Sequence, residues 1–358
     1  MRDGEAPPPM ADPDRPLLED LRERLGRAWR GLLAPGTRCA LALYPDHWNV
    51  GDAAIWWGTR RLLAGLGVEV AYGCDPWSYD PHDLRGALPD GPILLLGGGN
   101  FGDVYPHERG LRERILADFP DRTIIQLPQS ISFASNAAVA STAELIARQG
   151  DFTLLVRDAA SLRFASERFP GVWVGLCPDA ARAIDPPQAS PPDVPVLALW
   201  RRDSESREAL PPLPAGWAVR DWTVPGGILP AEEAAQLSAA AWNFKQWVGM
   251  PPSGGECPPR RRMAWQHLMS LWDELARERT LRGFRILSRG RVVITNRLHA
   301  HLLCLLAGIP HVVCDAANGK IFGHRDTWYP QAVSGPIDGC PVRFARSAAE
   351  AIDIAAGL

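Results

Sequence analysis

The sequence predicts an α/β protein with two Rossmann-like domains that face each other across a cleft. Three observations support this prediction. The chain has 358 residues, which corresponds to about two domains of ordinary size. Short apolar runs alternate with helical patterns along most of the chain. A break with eight prolines between Pro186 and Pro214 separates one such series from a second.

The first 34 residues predict a tail and a helix. Residues 1–13 are charged and rich in proline, which indicates disorder, and they contain no apolar core of a secretory signal. Residues 16–33 place leucines and Trp29 at helical spacing, so this segment predicts an amphipathic helix.

Residues 35–187 predict the first Rossmann-like domain. Its strands are continuous apolar runs, as is typical of parallel strands buried on both faces. The predicted strands span 39–44, 68–72, 93–96, 123–127, 153–156 and 172–176. The predicted helices span 53–66, 108–118, 136–149 and 159–169. This alternation indicates βαβ units and a parallel sheet.

Residues 188–345 predict the second Rossmann-like domain. Its predicted strands span 194–200, 218–222, 292–295 and 311–315. Its predicted helices span 230–247, 261–279 and 298–307, with a loop rich in proline and glycine at 251–260. The segment 346–358 holds a last helix, which is expected to pack back on the first domain.

The composition is that of an ordinary globular protein, with 46% apolar and 22% charged residues, which excludes a disordered, collagen-like or coiled-coil protein. The net charge is −3, so no overall positive field would attract nucleic acid. Lys245 and Lys320 are the only lysines among 38 basic residues, a bias typical of a GC-rich genome.

Cysteine usage and hydropathy predict the compartment. Seven cysteines without paired spacing imply neither a disulfide framework nor a zinc site, and therefore a reducing, cytoplasmic setting. No apolar run is long enough to span a bilayer, which predicts a soluble or peripheral protein.

The first candidate site lies at residues 49–55, the turn after the first predicted strand. Gly51 lets backbone N–H groups face a ligand at the start of a helix. Asn49 and Asp52 would fix the loop or contact a substrate hydroxyl. The alternative is an ordinary strand-to-helix turn with Asp52 as its N-cap.

The second candidate site lies at residues 97–103, after another predicted strand. Three consecutive glycines, which include Gly98 and Gly99, indicate either a tight turn or the close approach of a sugar or phosphate. Asn100 and Asp103 complete the segment. It matches neither the dinucleotide fingerprint nor the Walker A motif, because the glycine register and the Gly-Lys-Ser/Thr are absent.

Other strand ends of the first domain also carry polar residues. Gln129, Ser130, Arg157 and Asp179 each follow a predicted strand. For Arg157, the alternative to a ligand contact is an ion pair with Asp158 that caps a helix.

The second domain holds the sharpest candidates. Arg201 follows its first strand, where the guanidinium fork matches carboxylate or phosphate, although a solvated charged loop is the alternative. Arg297 and His299 open an apolar helix, whose N-terminus favours an anion. His299 can transfer a proton near neutral pH, whereas His301 is expected to pack along the helix.

A loop after the strand 311–315 is expected to hold Lys320 and His324. Because lysine is so rare in this chain, a specific need for the Lys320 ammonium group becomes more plausible.

Eight short motifs occur in order over residues 49–205 and 292–328. They are N-x-G-D-A-A-I (49–55), L-L-L-G-G-G-N-F-G-D (94–103), L-P-Q-S-I (127–131), R-D-x-x-S (157–161), C-P-D (177–179), R-x-D-x-E (201–205), T-N-R-L-H-A (295–300) and G-K-x-x-G-H-x-D-T-W (319–328). In this order they resemble the polysaccharide pyruvyl transferase family. Residues 206–290 contain no matching motif, so acceptor specificity is expected to vary there.

The resemblance implies a two-domain fold like that of the GT-B glycosyltransferases. It implies phosphoenolpyruvate as donor and co-substrate, a sugar diol as acceptor, and a cyclic pyruvate ketal and phosphate as products, without a cofactor or metal. Arg201, Arg297, Leu298 and His299 fall on the donor positions of the family, with His299 as general acid. At position 296 the family commonly has aspartate, and this chain has Asn296.

The acceptor side falls on the first domain. The resemblance places Asn49, Asp52 and Asn100 there, and either Asp52 or Asp103 is the candidate base, although both carboxylates could instead cap helices. The remaining substrate-binding assignments are Gly51, Gly98, Gly99, Gln129, Ser130, Arg157, Lys320 and His324.

Two other functions stay open from the sequence. One is a GT-B glycosyltransferase that uses a nucleotide sugar, and the other is a catalytically silent sugar-binding or assembly protein. A lipid-linked acceptor, peripheral membrane association and a homo-oligomeric state stay open as well.

Overall fold

Two parallel sheets form the framework of the protein. The structure is a computed structural model that describes residues 16–203, 205–223, 239–243, 245, 259–331 and 335–358. All ten predicted strands are present, so the α/β class with parallel sheets is confirmed. The predicted tail at 1–13 and most of the loop at 251–260 lie outside the described residues.

The first sheet has seven strands, which span Arg38–Ala42 (β1), Glu69–Cys74 (β2), Ile93–Leu95 (β3), Gly98–Gly102 (β4), Thr123–Ser132 (β5), Asp151–Val156 (β6) and Trp173–Leu176 (β7). Their order is β2-β1-β3-β5-β6-β7, and β4 pairs with β5 beyond the end of β3. All pairs are parallel, and the interiors of β1, β3 and β6 are fully buried, as their apolar runs predict.

Six helices and a short 3₁₀ helix accompany the first sheet. They span Leu17–Arg30 (α1), Val50–Gly65 (α2), Pro81–Ala87 (α3), Pro106–Asp118 (α4), Asn136–Ala147 (α5), Ala159–Arg168 (α6) and Ala180–Ala183 (the 3₁₀ helix). Side-chain caps set several of their starts: Ser135 accepts a hydrogen bond at the start of α5 and Asp158 at the start of α6.

The second sheet has five parallel strands in the order β12-β11-β10-β8-β9. They span Val194–Leu199 (β8), Ala218–Arg220 (β9), Gly290–Thr295 (β10), His311–Cys314 (β11) and Val342–Ala345 (β12). Four helices follow in the same part of the chain, Pro259–Leu287 (α7), Leu298–Ala307 (α8), Lys320–Trp328 (α9) and Ala348–Ala356 (α10). Of the predicted helix at 230–247, residues 239–243 and 245 are described, and they are helical.

Three features of the second half differ from the prediction. Helix α10 packs through Ala348, Ala351 and Ala355 against the second sheet, so the expectation that it packs on the first domain is corrected: small side chains let it lie close to β11 and β12. The predicted loop around Lys320 is helix α9. Helix α7 runs on to Leu287, and its two ends join different cores.

Helices α7 and α2 connect the two halves of the molecule. The first half of α7 places Trp265 and Trp272 in the core of the first sheet, whereas its end places Phe284 in the core of the second. Helix α2 does the same, because Trp56 belongs to the first core and Val50 to the second. In the described part of the chain no helix is long and apolar enough to cross a membrane.

The strand order places a crevice at the carboxyl edge of each sheet. In the first sheet the order reverses between β1 and β3, and in the second sheet between β8 and β10. Ligands of open parallel sheets bind outside such reversals. The turns after β1, β3, β8 and β10 therefore hold the positions where a site is expected.

A close contact between α2 and the 3₁₀ helix gives a test of this packing. A Cβ at Gly58 would lie 2.0 Å from the carbonyl oxygen of Ala180, whereas nothing lies within 4 Å of one at Gly65, also in α2. We expect Gly58→Ala to lower the free energy of unfolding by about 1–3 kcal/mol through overpacking. Gly65→Ala is expected not to lower it, because alanine favours a helix. Urea unfolding of both variants measures the difference, and equal stabilities would contradict the predicted contact.

Candidate functional site

A cavity of about 420 Å³ lies at the carboxyl ends of both sheets and is lined from both halves of the chain. Its size is in the usual range for a small-molecule site. Ten of the residues predicted from the sequence line it: Asn49, Asp52, Gly99, Asn100, Arg157, Arg201, Arg297, Leu298, His299 and Lys320.

Three further predicted residues hold this lining in place. Gln129 donates from Nε2 to the Asn100 side-chain oxygen at 2.8 Å, which fixes the glycine-rich turn. Ser130 accepts from Nε of Arg157 at 2.9 Å. Gly98 begins β4 behind the turn. The turn is therefore both structural and in contact with the cavity.

Two predicted residues lie elsewhere, and both expectations are corrected. The Asp103 carboxylate accepts hydrogen bonds from the backbone N–H groups of Ala134 and Ser135, at 2.7 and 3.0 Å, and so stabilises the start of α5. His324 is 1% exposed, with its Nε2 3.2 Å from an Arg182 nitrogen. Burial holds the pKa of His324 well below its usual value, so it is a neutral core residue.

His299 lies in the first turn of α8, where the two halves of the molecule meet. Its Nε2 is 3.3 Å from Oδ2 of Asp179 and 3.5 Å from Nη1 of Arg157. Asp179 is the last residue of the C-P-D motif and is 1% exposed, and sequence reasoning assigned it no role. The contact joins residues 120 positions apart and requires both sheets.

Asp179 is a buried carboxylate with several hydrogen-bond donors. Its Oδ1 accepts from the Ala181 N–H at 2.9 Å, and its Oδ2 accepts from Arg157 at 2.6 Å. Burial alone would raise the pKa of Asp179, but His299 and then Arg157 lower it well below its usual value. Arg157 therefore pairs with Asp179 rather than with its neighbour Asp158. The ionised carboxylate therefore orients the His299 ring.

Helix α2 approaches the other side of the His299 ring. A Cβ at Gly51 would lie 2.4 Å from Nδ1 of His299, which is closer than any side chain allows. The glycine therefore provides space for the imidazole rather than a backbone contact to a ligand. At the same helix end, Asn49 and not Asp52 is the N-cap, because the Asn49 side chain accepts from the Gly51 N–H at 3.1 Å.

Asp52 is a carboxylate of the first half that lines the cavity, as is Glu108. Nδ2 of Asn49 donates to it at 2.7 Å, and Nε2 of His47 lies 3.6 Å from the same oxygen. Its side chain is 31% exposed, so it remains accessible to a ligand.

Arg201 is buried and held on several sides. Its Nε and Nη2 donate to Asp203 at 2.7 and 2.9 Å, and its Nη1 donates to Glu205. The alternative of a solvated loop is therefore wrong for Arg201. Asn296 accepts from the Arg201 backbone N–H at 2.9 Å and donates to Ser206 at 3.2 Å, so the amide links the ends of β8 and β10.

Arg297 is the N-cap residue of α8 and is 4% exposed. Its Nη2 donates to both oxygens of Asp221, at 2.7 and 2.9 Å. Its buried Nε has no hydrogen-bond partner among the described residues. An unpartnered guanidinium N–H costs free energy, and an anionic ligand would remove that cost.

Lys320, Tyr105 and Arg201 meet at one carboxylate, that of Glu205. Lys320 and Tyr105 both donate to Glu205, and Tyr105 comes from the first half of the chain. Burial by itself would raise the pKa of Glu205, but Lys320, then Tyr105 and Arg201, lower it to about 2. The carboxylate is therefore ionised, and it connects Tyr105 of the first half with Arg201 and Lys320 of the second.

Sequence reasoning missed several of these residues. Glu205 and Asp179 end motifs that the sequence analysis quoted, R-x-D-x-E and C-P-D, and their positions after strands could have indicated them. Tyr105 and Asp221 lie outside those motifs, and only their contacts with Glu205 and Arg297 reveal them.

The contact between Gly51 and His299 can be tested without an activity. We expect Gly51→Ala to displace the imidazole from Asp179, because the new methyl group would occupy its place. The side-chain NMR signals of His299, identified by their loss in His299→Ala, measure this displacement. Gly65→Ala is the matched control in the same helix, and unchanged His299 signals in Gly51→Ala would contradict the contact.

Comparisons with known proteins show which proteins this chain resembles. The model of the polysaccharide pyruvyl transferase family matches residues 49–226 and 276–318, which include all the cavity-lining residues except His47, Trp48 and Lys320. Pyruvyl transferase 1 of Schizosaccharomyces pombe is 30% identical over 333 residues, which cover 90% of this chain and 75% of that protein. EpsO of Bacillus subtilis is 29% identical over 290 residues, which cover 80% and 83% of the two chains.

A solved structure shares the fold. A functionally uncharacterized protein from Klebsiella pneumoniae superposes with a TM-score of 0.57 at 15% identity, and the match covers 91% of this chain and 99% of that one. At this identity the likeness concerns the fold alone. The matched family model spans most of the chain and both halves of the cavity, so the protein belongs to the polysaccharide pyruvyl transferase family.

Proposed function

We propose that the protein transfers pyruvate from phosphoenolpyruvate to two hydroxyl groups of a saccharide, to form a cyclic ketal and release phosphate. The observation that supports this best is that Arg201, Arg297, Lys320 and His299, which is paired with Asp179, line one cavity. Phosphoenolpyruvate carries a carboxylate and a phosphate, and the cavity offers cations for both.

Donor binding would exchange one set of ion pairs for another. Without a ligand, Asp203 and Glu205 neutralise Arg201, and Glu205 also neutralises Lys320. These acids keep the cations charged and in place, since a buried unpaired charge is costly. The phosphate and carboxylate of the donor would then bind the same cations, either beside these acids or in their place. Arg297 would keep Asp221 as its partner while it contacts the donor from the cavity lining.

The chemistry begins with proton transfer from His299 to the methylene carbon of phosphoenolpyruvate, which leaves a cationic centre at C2. A sugar hydroxyl attacks C2, and the C–O bond to phosphate breaks as the arginines stabilise the leaving anion. The second hydroxyl then closes the ketal ring. The base accepts the proton of one hydroxyl and returns it to His299. The proton of the other hydroxyl leaves with phosphate.

The acceptor would lie on the first-sheet side of the cavity, against Asn49, Asp52 and Asn100. Asp52 is the candidate base, because its carboxylate faces the cavity whereas that of Asp103 binds backbone N–H groups. The acceptor would be a glycan or glycan precursor of exopolysaccharide or cell-surface polysaccharide.

The architecture proposed for this reaction is GT-B-like, with one sheet at the centre of each domain and a domain boundary near residues 185–195. We also propose a cytoplasmic location, since the six cysteines that the structure describes are all unpaired and buried. A nucleotide-sugar transferase is less well supported, because the family model names pyruvyl transfer.

Ligand stabilisation and phosphate release together test the donor. Phosphoenolpyruvate at about 100 times its Kd should add about 2.7 kcal/mol of stability and raise Tm, whereas nucleotide-diphosphate sugars should not. His299→Ala should keep this stabilisation but lose phosphate release in the presence of acceptor glycans by about a hundredfold or more. Stabilisation by a nucleotide sugar alone, or full activity of His299→Ala, would refute the proposal.

The role of Asp179 as a positioning residue is tested by measuring kcat beside donor binding. Asp179→Asn removes the charged group that orients the His299 ring, so kcat should fall about a hundredfold while the stabilisation by phosphoenolpyruvate is kept. Asp179→Glu should restore most of the wild-type kcat. Asp193→Asn, which removes a carboxylate from an exposed pair with Arg289, is the control.

A merely structural role for Asp179 predicts a different result. Loss of the partner of buried Arg157 costs about 3–5 kcal/mol, so folding of each variant must be verified by circular dichroism. A folded Asp179→Asn variant that keeps the wild-type kcat, or that loses stabilisation by phosphoenolpyruvate together with kcat, would contradict the positioning role.

A further inference from the structure

A second cavity lies on the first half of the molecule, outside the site described above. It has a volume of about 690 Å³ and lies between the loop after β2 and helices α4 and α5. Trp77 forms one wall, His107 and Arg114 of α4 form another, and Leu145 of α5 closes the end. We call it the Trp77 groove.

Trp77 is exposed, but it is firmly held. Its side chain is 61% exposed, the largest exposure of a tryptophan in the described part of the chain. Its backbone N–H donates to the buried Asp75 at 3.1 Å. The Lys245 ammonium lies 4.9 Å from its ring centre, and the His107 ring 5.3 Å away. An indole that is rigid and exposed is ready to stack on a ligand without a large loss of side-chain entropy.

The Trp77 groove is adjacent to the catalytic cavity. Tyr105 and Glu108 at the start of α4 line the catalytic cavity, whereas Pro106 and His107, in the same turn, line the groove. Both belong to the half of the molecule where the acceptor is proposed to bind. A ligand that extended from the catalytic cavity over this helix end would therefore reach the groove.

The chemistry of the groove fits a saccharide. An aromatic face contacts the C–H groups of a sugar ring, and polar side chains at the rim reach its hydroxyls. The groove has both, because its lining includes the Trp77 indole, with the His107 ring against it, and the polar side chains of Glu113 and Arg114. The catalytic cavity, at about 420 Å³, is near the lower end of the range for ligand sites, so a polymeric acceptor must extend beyond it.

We propose that the Trp77 groove is a subsite for the sugar residues of the acceptor next to the one that receives pyruvate. This inference rests on the proposed function and deepens it, because it makes an oligosaccharide, rather than a free monosaccharide, the preferred acceptor.

An array of immobilised bacterial and fungal surface glycans, with mono- to tetrasaccharides of each type, tests the subsite without phosphoenolpyruvate. The wild-type protein should bind tetrasaccharides at least about tenfold more strongly than the matching monosaccharide. Trp77→Ala and His107→Ala should lose this preference. Trp173→Ala is the control, because Trp173 is 40% exposed but lies at the opposite edge of the sheet and at the amino end of its strand.

Each outcome decides the proposal. Loss of the length preference in Trp77→Ala but not in Trp173→Ala supports it. An unchanged preference in Trp77→Ala, or no glycan binding by the wild-type protein, overturns it. A dimer that becomes a monomer in Trp77→Ala, with glycan binding unchanged, would show that the groove is an interface between copies of the chain. Phosphate release is measured separately, so failure of pyruvyl transfer is distinguishable from failure of the subsite.

Discussion

The position of helix α2 between the two sheets is the constraint on which the rest of the structure depends. Its side chains alternate between two cores: Trp56 packs with the first sheet, whereas Val50 and Ala54 pack with the second. Because one rigid helix belongs to both cores, the carboxyl edges of the two sheets are held at a constant separation. The N-terminus of this helix then lies against His299, and only a glycine at position 51 leaves room for the ring.

The charges in the cavity follow from burial. Arg157, Arg201 and Arg297 are each less than 10% exposed, and each has at least one carboxylate partner. An unpaired buried arginine would be strongly destabilising, so the acids are needed for folding before any ligand binds. One acid serves two of the cations, because Glu205 accepts hydrogen bonds from both Arg201 and Lys320.

Much of the fold could be predicted because its signals are local. Apolar runs identified ten of the twelve strands that the structure describes, and β4 and β12 were missed. The sequence of β4, GGNFG, has little β-propensity and becomes a strand only by pairing with β5. The end of α7 was also missed. Arginines alternate there with the apolar residues that enter the second core, so the apolar pattern of the helix is weak. Within the site, position after a strand indicated Arg201, Arg297 and Lys320, which line the cavity, but it did not distinguish the two candidate bases Asp52 and Asp103.

The sequence by itself determined which side chains stand at the carboxyl ends of strands, because strand length, turn residues and helix starts depend on neighbours a few positions away. Only the tertiary structure decided which of these side chains meet. Asp179 and His299 are 120 residues apart, and Tyr105 and Glu205 are 100 apart. Their contacts depend on the packing of α2 between the sheets, and a shift of a few ångströms would break them, since hydrogen bonds and ion pairs require separations near 3 Å.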